Sequence, residues 1–424
     1  MSKSSSRSLS RRDFLKRGSM GAVLGFTAHS EATAQAASPA SSLSDEAVNC
    51  GLIGFGPQGR ELAATLARIP EANVAAVCDT YDVMLKRAAR SVPDATGHSD
   101  YREVLDNQGI TTVLVATPTH QHRDIVMDAL DAGKHVYVEA PMAATIEDAR
   151  TMALAAQARP KQIFQVGQKY RLNPLYRDVF QFVRSGAVGR YITARSQWNT
   201  KESWRRASPN REREQAINWR LDAGVSLGLI GERGIHQFDT AMWYFGERPK
   251  AVTGSGQLVL WDDGRAVPDT IQAIFEYPSG LHHTYNATIA SSFDDMYDMF
   301  YGSDSTIMMR DKKAWMFKEV DAPVLGWEVY ARKDDFYKEK GIALVANATQ
   351  LDALEQDATY DDPNVESPLW YALKDFMTNH EFGPYPSAAG FQQGYEAVVV
   401  AVKANEAIVN NTRVEIGDDL FALG

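Results

Sequence analysis

Val48-Asn49-Cys50-Gly51-Leu52-Ile53-Gly54-Phe55-Gly56-Pro57-Gln58-Gly59 is the stretch that decides the fold. A short apolar run reads as a buried strand, and it leads without a spacer into G-x-G-x-x-G. The residues that follow, Arg60 to Arg68, carry a helical pattern. Strand, glycine turn and helix in immediate succession mark the first unit of a parallel α/β sheet. Gly54 permits the tight turn, Gly56 lets the backbone approach a pyrophosphate, and Gly59 allows close packing of helix on strand. Pro57 and Gln58 open the helix, whose N-terminus favours phosphate charge.

Working outward, the alternation continues. Val74 to Cys78, Thr112 to Ala116, His135 to Val138 and Ile163 to Val166 are apolar enough to be buried on both faces. Helical candidates lie between them at Val83 to Arg90, Tyr101 to Leu105, His122 to Ala132 and Ile146 to Ala156. After Gln168 the texture changes. A helix from Pro174 to Ser185 and a Trp- and Arg-rich stretch precede alternating runs at Ala251 to Leu260, Thr270 to Tyr277, His282 to Ala290 and Thr306 to Met309. Pro278-Ser279-Gly280 supplies a hairpin turn. A helix from Tyr395 to Val409 and a strand from Arg413 to Ile416 close the chain. The expected fold class is α/β, a Rossmann domain with a parallel sheet followed by an α+β domain with a large, mostly antiparallel open sheet. The boundaries expected are 47–167 for the first domain and 168–424 for the second.

Asp79 stands twenty residues after Gly59, at the end of the second strand. A carboxylate there accepts hydrogen bonds from a ribose 2′-hydroxyl and repels a 2′-phosphate, so NAD is favoured over NADP. The later loop Ala116-Thr117-Pro118-Thr119-His120-Gln121-His122 follows another strand and so faces the ligand crevice. Thr117, Pro118 and His122 join the candidate nucleotide site. A purely structural role at the helix start is open for His122, and more so for His120.

The 424 residues, 44% of them hydrophobic, suffice for two domains, and the net charge of −10 gives no basic stripe for nucleic acid. No apolar run reaches the roughly 18 residues needed to span a bilayer. The N-terminus departs from this background. Lys3, Arg7, Arg11, Arg12, Lys16 and Arg17 precede a short apolar run from Met20 to Ala28. Ser10-Arg11-Arg12-Asp13-Phe14-Leu15-Lys16 fits a twin-arginine export signal, and Ala32-Thr33-Ala34 or Ala34-Gln35-Ala36 offers a cleavage site. The signal is assigned to 1–36 and a linker to 37–46, and the protein is expected in the periplasm or otherwise exported folded. Cys50 and Cys78 sit at opposite ends of neighbouring strands, about 13 Å out of level at ~3.3 Å per residue, and are expected to remain free.

With Gly133-Lys134-His135-Val136-Tyr137-Val138-Glu139-Ala140-Pro141, these motifs resemble the glucose-fructose oxidoreductase and inositol dehydrogenase family, Gfo/Idh/MocA. The likeness extends through Val166-Gly167, Arg171, Pro174, the Gly231 to Asp239 segment and Asp269-Thr270. It implies an NAD-dependent oxidoreductase acting on a hydroxyl of a sugar, sugar acid or cyclitol, assembled as a homo-oligomer through the open sheet. The family usually reads Glu-Lys-Pro where this chain has Glu139-Ala140-Pro141, so the ammonium beside the reacting hydroxyl is missing, while Glu139 still shapes the nicotinamide pocket. Lys169, with Arg171 and Lys201 behind it, is the first candidate to replace that ammonium.

The family's second signature appears as Glu232-Arg233-Gly234-Ile235-His236-Gln237-Phe238-Asp239, with Glu for the first Asp. If helical, it puts Glu232, His236 and Asp239 on one face, so that a carboxylate can orient His236 as general acid/base. A metal at this cluster is not expected, because no Cys or second His joins it. Trp198, Trp204 and Trp219, with Arg205, Arg206 and Arg220 among them, suit either stacking on a sugar or anchoring a core. Export further implies that NAD is held tightly through turnover. Two alternatives accompany the oxidoreductase reading: a redox-neutral NAD-dependent glycosidase or lyase, and a non-catalytic sugar-binding protein.

Overall fold

The computed structural model describes residues 47–423 except 311, 329–330, 332, 337–338 and 345–365. The expected export signal and the whole of the linker lie outside the described residues. Six strands form the first sheet: β1 Val48–Ile53, β2 Ala72–Cys78, β3 Thr96–His98, β4 Thr112–Val115, β5 His135–Val138 and β6 Phe164–Val166. All pair in parallel in the order β3-β2-β1-β4-β5-β6. The order reverses between β1 and β4, so the loops leaving their carboxyl ends diverge and open a crevice. Leu52, Val77, Leu114 and Val136 are fully buried, as strands covered on both faces require. Helix starts are set by local side chains. The Asp100 carboxylate accepts from the Arg102 amide at 2.9 Å, and the Thr145 hydroxyl accepts from the Asp148 amide at 3.1 Å.

The second sheet has ten strands: β7 Tyr191–Lys201, β8 Ala251–Gln257, β9 Thr270–Glu276, β10 His282–Thr288, β11 Ala290–Gly302, β12 Ser305–Arg310, β13 Lys313–Lys318, β14 Lys333–Phe336, β15 Glu339–Ala343 and β16 Arg413–Glu415. Their order is β14-β15-β13-β12-β11-β7-β10-β9-β8-β16, antiparallel throughout except for β10 beside β7. The expected strand Ala251 to Leu260 stops at Gln257. The amides of Val259, Leu260 and Trp261 turn away from the ladder to donate to the buried Asp269 carboxylate at 2.8–2.9 Å.

The chain's last helices return to the first sheet. Pro368–Phe382 places Leu369, Leu373 and Phe376 in one core with Leu52, Leu62 and Tyr137. Phe391–Asn410 runs between the two sheets, and its Val398, Val400 and Ala404 are fully buried. Both sheets therefore share one compact unit, 46–424. Cys50 lies opposite Val74 and Cys78 opposite Ile53, so the two free thiols are at opposite ends of the strand pair. Burial pushes both up to about 12, which keeps them protonated and inert.

Candidate active site

The crevice at the carboxyl ends of β1 and β4 is a cavity of about 1290 Å³, roofed by residues of the second sheet's domain. Its floor is the glycine turn. Gly54 takes φ +94°, and a Cβ there would lie 2.8 Å from the Ala116 carbonyl. At Gly59 a Cβ would come within 1.9 Å of the Gly54 carbonyl oxygen, so the helix Pro57–Leu66 reaches the strand only with glycine at this position. Gly56 differs: a Cβ there meets nothing within 4 Å and would project into open space. That free approach, at a helix N-terminus with no side-chain cap, fits a pyrophosphate held by backbone amides.

Asp79 lines the same cavity. Its carboxylate accepts from the amides of Phe55 at 2.8 Å and Tyr81 at 2.9 Å, which ties the glycine turn to the end of β2. Burial raises its pKa against the pull of those two bonds. Thr117 and Pro118 form the opposite wall, and the Thr117 hydroxyl is a buried group without a partner, available to a ligand. Gln58 donates to Glu139 at 3.1 Å, and Tyr137 donates to the same carboxylate oxygen at 3.4 Å. Burial raises the Glu139 pKa while the nearby Lys169 ammonium lowers it. The residues present thus fit an extended dinucleotide, from Asp79 at one end to Glu139 at the other.

His122 lines the cavity, but its ring nitrogens are turned toward backbone carbonyls. Its Nδ1 lies 3.1 Å from the Pro141 carbonyl and its Nε2 lies 3.0 Å from the Thr117 carbonyl. A neutral ring carries a single N–H, so it donates to one of these carbonyls and only packs against the other, seated between the two loops. Burial lowers its pKa to about 4, and at neutral pH it is uncharged. His120, two residues earlier, lies edge-on to Trp219 at 6.0 Å on the cavity wall.

At the far end, Lys169, Glu232, Arg233 and His236 line the cavity together with Ala140. Lys169 follows β6 and so enters from the strand beside the one that carries Ala140. The expected single helical face is interrupted. Ile230–Gly234 is a π-turn, and the α-helix proper is Ile235–Phe245. Such wide turns re-aim side chains and recur at functional sites.

Neither flanking carboxylate orients the imidazole. Glu232 accepts from Arg220 at 2.9 Å and from Thr119 at 3.2 Å, whereas Asp239 is engaged by Arg171 in two bonds of 2.8 Å away from the cavity. His236 packs edge-on to Tyr170 at 5.6 Å, and its buried Nδ1 has no partner. Burial, Lys169 and Arg233 together lower its pKa to about 3. Among the described residues no cluster of three His, Cys, Asp or Glu could hold a metal.

Arg213, Asn218 and Arg233 are given no role by the sequence alone. The segment 202–221 crosses the cavity mouth. Arg213 donates to the Thr80 carbonyl, and its guanidinium lies 4.8 Å from the centre of the Tyr81 ring. Asn218 braces the segment, accepting from the Arg206 amide at 2.7 Å and donating to its carbonyl at 3.0 Å. Trp204 enters it at φ 61°, a strained value for a bulky residue and one that persists where a site demands it. Arg233 stands inside the quoted signature, but nothing in its spacing shows which way it faces.

Comparison with known proteins agrees with this geometry. Residues 48–168 match the oxidoreductase family, NAD-binding Rossmann fold, and 176–308 match the GFO/IDH/MocA C-terminal domain. Levoglucosan dehydrogenase of Pseudarthrobacter phenanthrenivorans is 28% identical over 209 residues, 47% of this chain and 52% of its own length. The chain thus spans about half of that relative. The scyllo-inositol 2-dehydrogenase (NAD(+)) of Bacillus subtilis is 26% identical over 58% of this chain and 68% of its own. Glycosyl hydrolase family 109 protein 2 of Shewanella sp. (strain ANA-3) is 30% identical over 38% of this chain and 40% of its own.

Among solved structures, levoglucosan dehydrogenase in complex with NADH and L-sorbose superposes with a TM-score of 0.70 at 20% identity, covering 88% of this chain and 99% of the other. Two domain models of one family, in the expected order on the expected folds, settle the affiliation. The chain belongs to the Gfo/Idh/MocA family of oxidoreductases, with an NAD-binding Rossmann domain followed by that family's C-terminal domain.

Proposed function

We propose that the protein oxidises a hydroxyl of a sugar or sugar derivative, with Lys169 and His236 at the reacting end and NAD retained between turnovers. The observation that carries this reading is the convergence of Lys169, Glu139 and His236 beside Ala140, the position at which the family resemblance implies a lysine. Bound NAD supplies the hydride acceptor for a carbinol C–H. The Lys169 ammonium holds the hydroxyl oxygen and stabilises the charge that develops on it. His236, neutral at physiological pH and on the cavity wall, accepts the hydroxyl proton on a ring nitrogen. Glu139, fixed by Gln58 and Tyr137, balances the ammonium.

Retention rests on the strap 202–221. Its braces to Thr80 and Tyr81 close the adenosine end of the cavity, so release requires them to open. Retention also suits the expected twin-arginine export, since a protein outside the cytosol has no soluble NAD pool to draw on. Fusing residues 1–46 to a reporter and comparing export in cells with and without the twin-arginine translocase tests that part. Assembly through the second sheet is proposed from its outer face, where Ile192 and Ile274 are 55% and 42% exposed. Light scattering on the purified protein reads the oligomeric state directly.

The decisive experiment adds a sugar panel to NAD-loaded protein and follows absorbance at the reduced nicotinamide band. Lys169→Met and His236→Asn are expected to lower kcat by about 10²-fold or more while leaving NAD affinity within about threefold. Ala140→Lys in the Lys169→Met background is expected to restore part of the rate. No spectral change with any sugar leaves a sugar-binding protein. A second reading, redox-neutral glycoside cleavage, is favoured by the family 109 relatives. Release of an aryl leaving group with no net nucleotide reduction would select it.

A further inference from the structure

We propose that the substrate of this site carries a carboxylate, and that Arg233, with Arg220 beside it, is built to receive it. The inference rests on the functional reading above and narrows it to sugar acids such as hexuronates.

The arginines near the reacting end are in different states. Arg171 is neutralised by Asp239 through two bonds, and Arg220 is held by Glu232 at 2.9 Å while its guanidinium lies 4.5 Å from the Trp219 ring centre. Arg233 lies over the Trp198 ring at 4.8 Å and faces the cavity. Among the described residues no carboxylate lies within ion-pairing distance of it. The ring contact does not neutralise the charge, and among the described residues the Arg233 side chain donates no hydrogen bond, so its N–H groups are free to form two parallel bonds to a planar anion.

The surrounding charges point the same way. Arg220 and Arg233 are close enough to repel, and Lys169 and Arg233 both act on His236. Glu232 belongs to Arg220, and Glu202 lies 4.0 Å from Arg206. One positive charge therefore remains in excess where the substrate sits. The NAD pyrophosphate is received by the backbone amides of the glycine turn at the N-terminus of the helix Pro57–Leu66, which leaves Arg233 to another anion. A substrate carboxylate at Arg233 would offset one of the two cations that keep His236 a weak base, favouring proton transfer to it. A neutral hexose would leave that repulsion in place.

The test uses full-length NAD-loaded protein and reads binding by calorimetry, independent of turnover. The ligands are D-galacturonate and D-glucuronate, the matching neutral hexoses, and glucose 6-phosphate and 6-sulfate. At least one uronate is expected to bind about tenfold or more tightly than its neutral hexose, as two charge-assisted bonds imply. Arg233→Gln is expected to abolish that preference while changing neutral-hexose affinity less than about threefold, with circular dichroism verifying the fold. Should the variant fail to fold, the wild-type panel alone decides. Equal binding of uronates and neutral hexoses overturns the proposal, as does tighter binding of the phosphate or sulfate esters, or an Arg233→Gln protein with undiminished preference. Selective uronate binding without nucleotide reduction would sustain this assignment and sink the oxidoreductase reading. Reduction by neutral sugars with no uronate preference would do the reverse.

Discussion

The two oxygens of Asp79 each accept one backbone amide, from Phe55 and from Tyr81, and a carboxylate has about four acceptor directions. Two remain for ribose hydroxyls, so the same group shapes the glycine turn and reads the nucleotide. Asp79→Asn puts an NH2 where one amide N–H points and removes the charge. NADH affinity, read by fluorescence titration, should fall by about 10–100-fold, the equivalent of losing one or two charge-assisted bonds. Burial raises the Asp79 pKa, so affinity should decline on acidification from a higher pH than an exposed aspartate would give, and the variant should lack that dependence. The glycines and Asp79 were legible in sequence because strand, turn and acid are local and closely spaced. The partners of His236 were not. Glu232 and Asp239 share its signature, yet each is claimed by an arginine from another part of the chain, Arg220 and Arg171. Such tertiary competition leaves no mark on spacing.

Among elements, the parallel strands were readable because burial on both faces makes them uniformly apolar, whereas β3, three residues with two exposed, was too short to register. The central strands β7 and β11 escaped for a different reason. Their inward positions include Ser196 and Asp298, which disguise the alternation. These polar groups satisfy one another: the Ser196 hydroxyl donates to Asp298 at 2.6 Å and lies 2.8 Å from His283 Nε2, while Gln237 donates to the same carboxylate at 3.1 Å. All four are buried, so the cluster resembles a nucleophilic triad only in composition. Burial raises Asp298 to about 6, so the native state holds a proton that the unfolded chain releases near pH 4. Stability from this group is present at low pH and lost as pH rises through about 6. His283, His236 and His122, all lowered by burial, act oppositely: their contribution is present above about pH 6.5 and lost as pH falls. A difference measurement separates the two. In chemical denaturation, Asp298→Asn should be more stable than the parent by up to ~3 kcal/mol at pH 7.5, and the gap should close by about pH 4.

At the scale of the whole molecule, the cavity belongs to neither sheet alone. The loops of the first supply the glycine turn, Asp79 and Glu139; the elements packed with the second supply His236, Arg233 and the strap. The contact that completes it joins Arg213 to Thr80 and Tyr81, more than 130 residues away in sequence, and no local pattern could announce it. The strap is also braced from Asn218 to Arg206 and from Arg205 to Glu214 and the Asp263 carbonyl, contacts that do not involve Thr80 or Tyr81. The contacts at Thr80 and Tyr81 are the ones that opening the strap would break. Arg213→Ala deletes one hydrogen bond and one cation–π contact, together worth about 1–3 kcal/mol at a partly exposed site. If the strap governs release, that loss falls on the barrier to opening, so the NADH off-rate in stopped-flow displacement should rise about 5–100-fold with little change in on-rate. Tyr81→Ala should act in the same direction, and the double variant should be less than additive because both changes remove the same contact. An off-rate unaffected by either change would mean that the strap does not retain the cofactor, and that any tight binding resides in the glycine turn and Asp79.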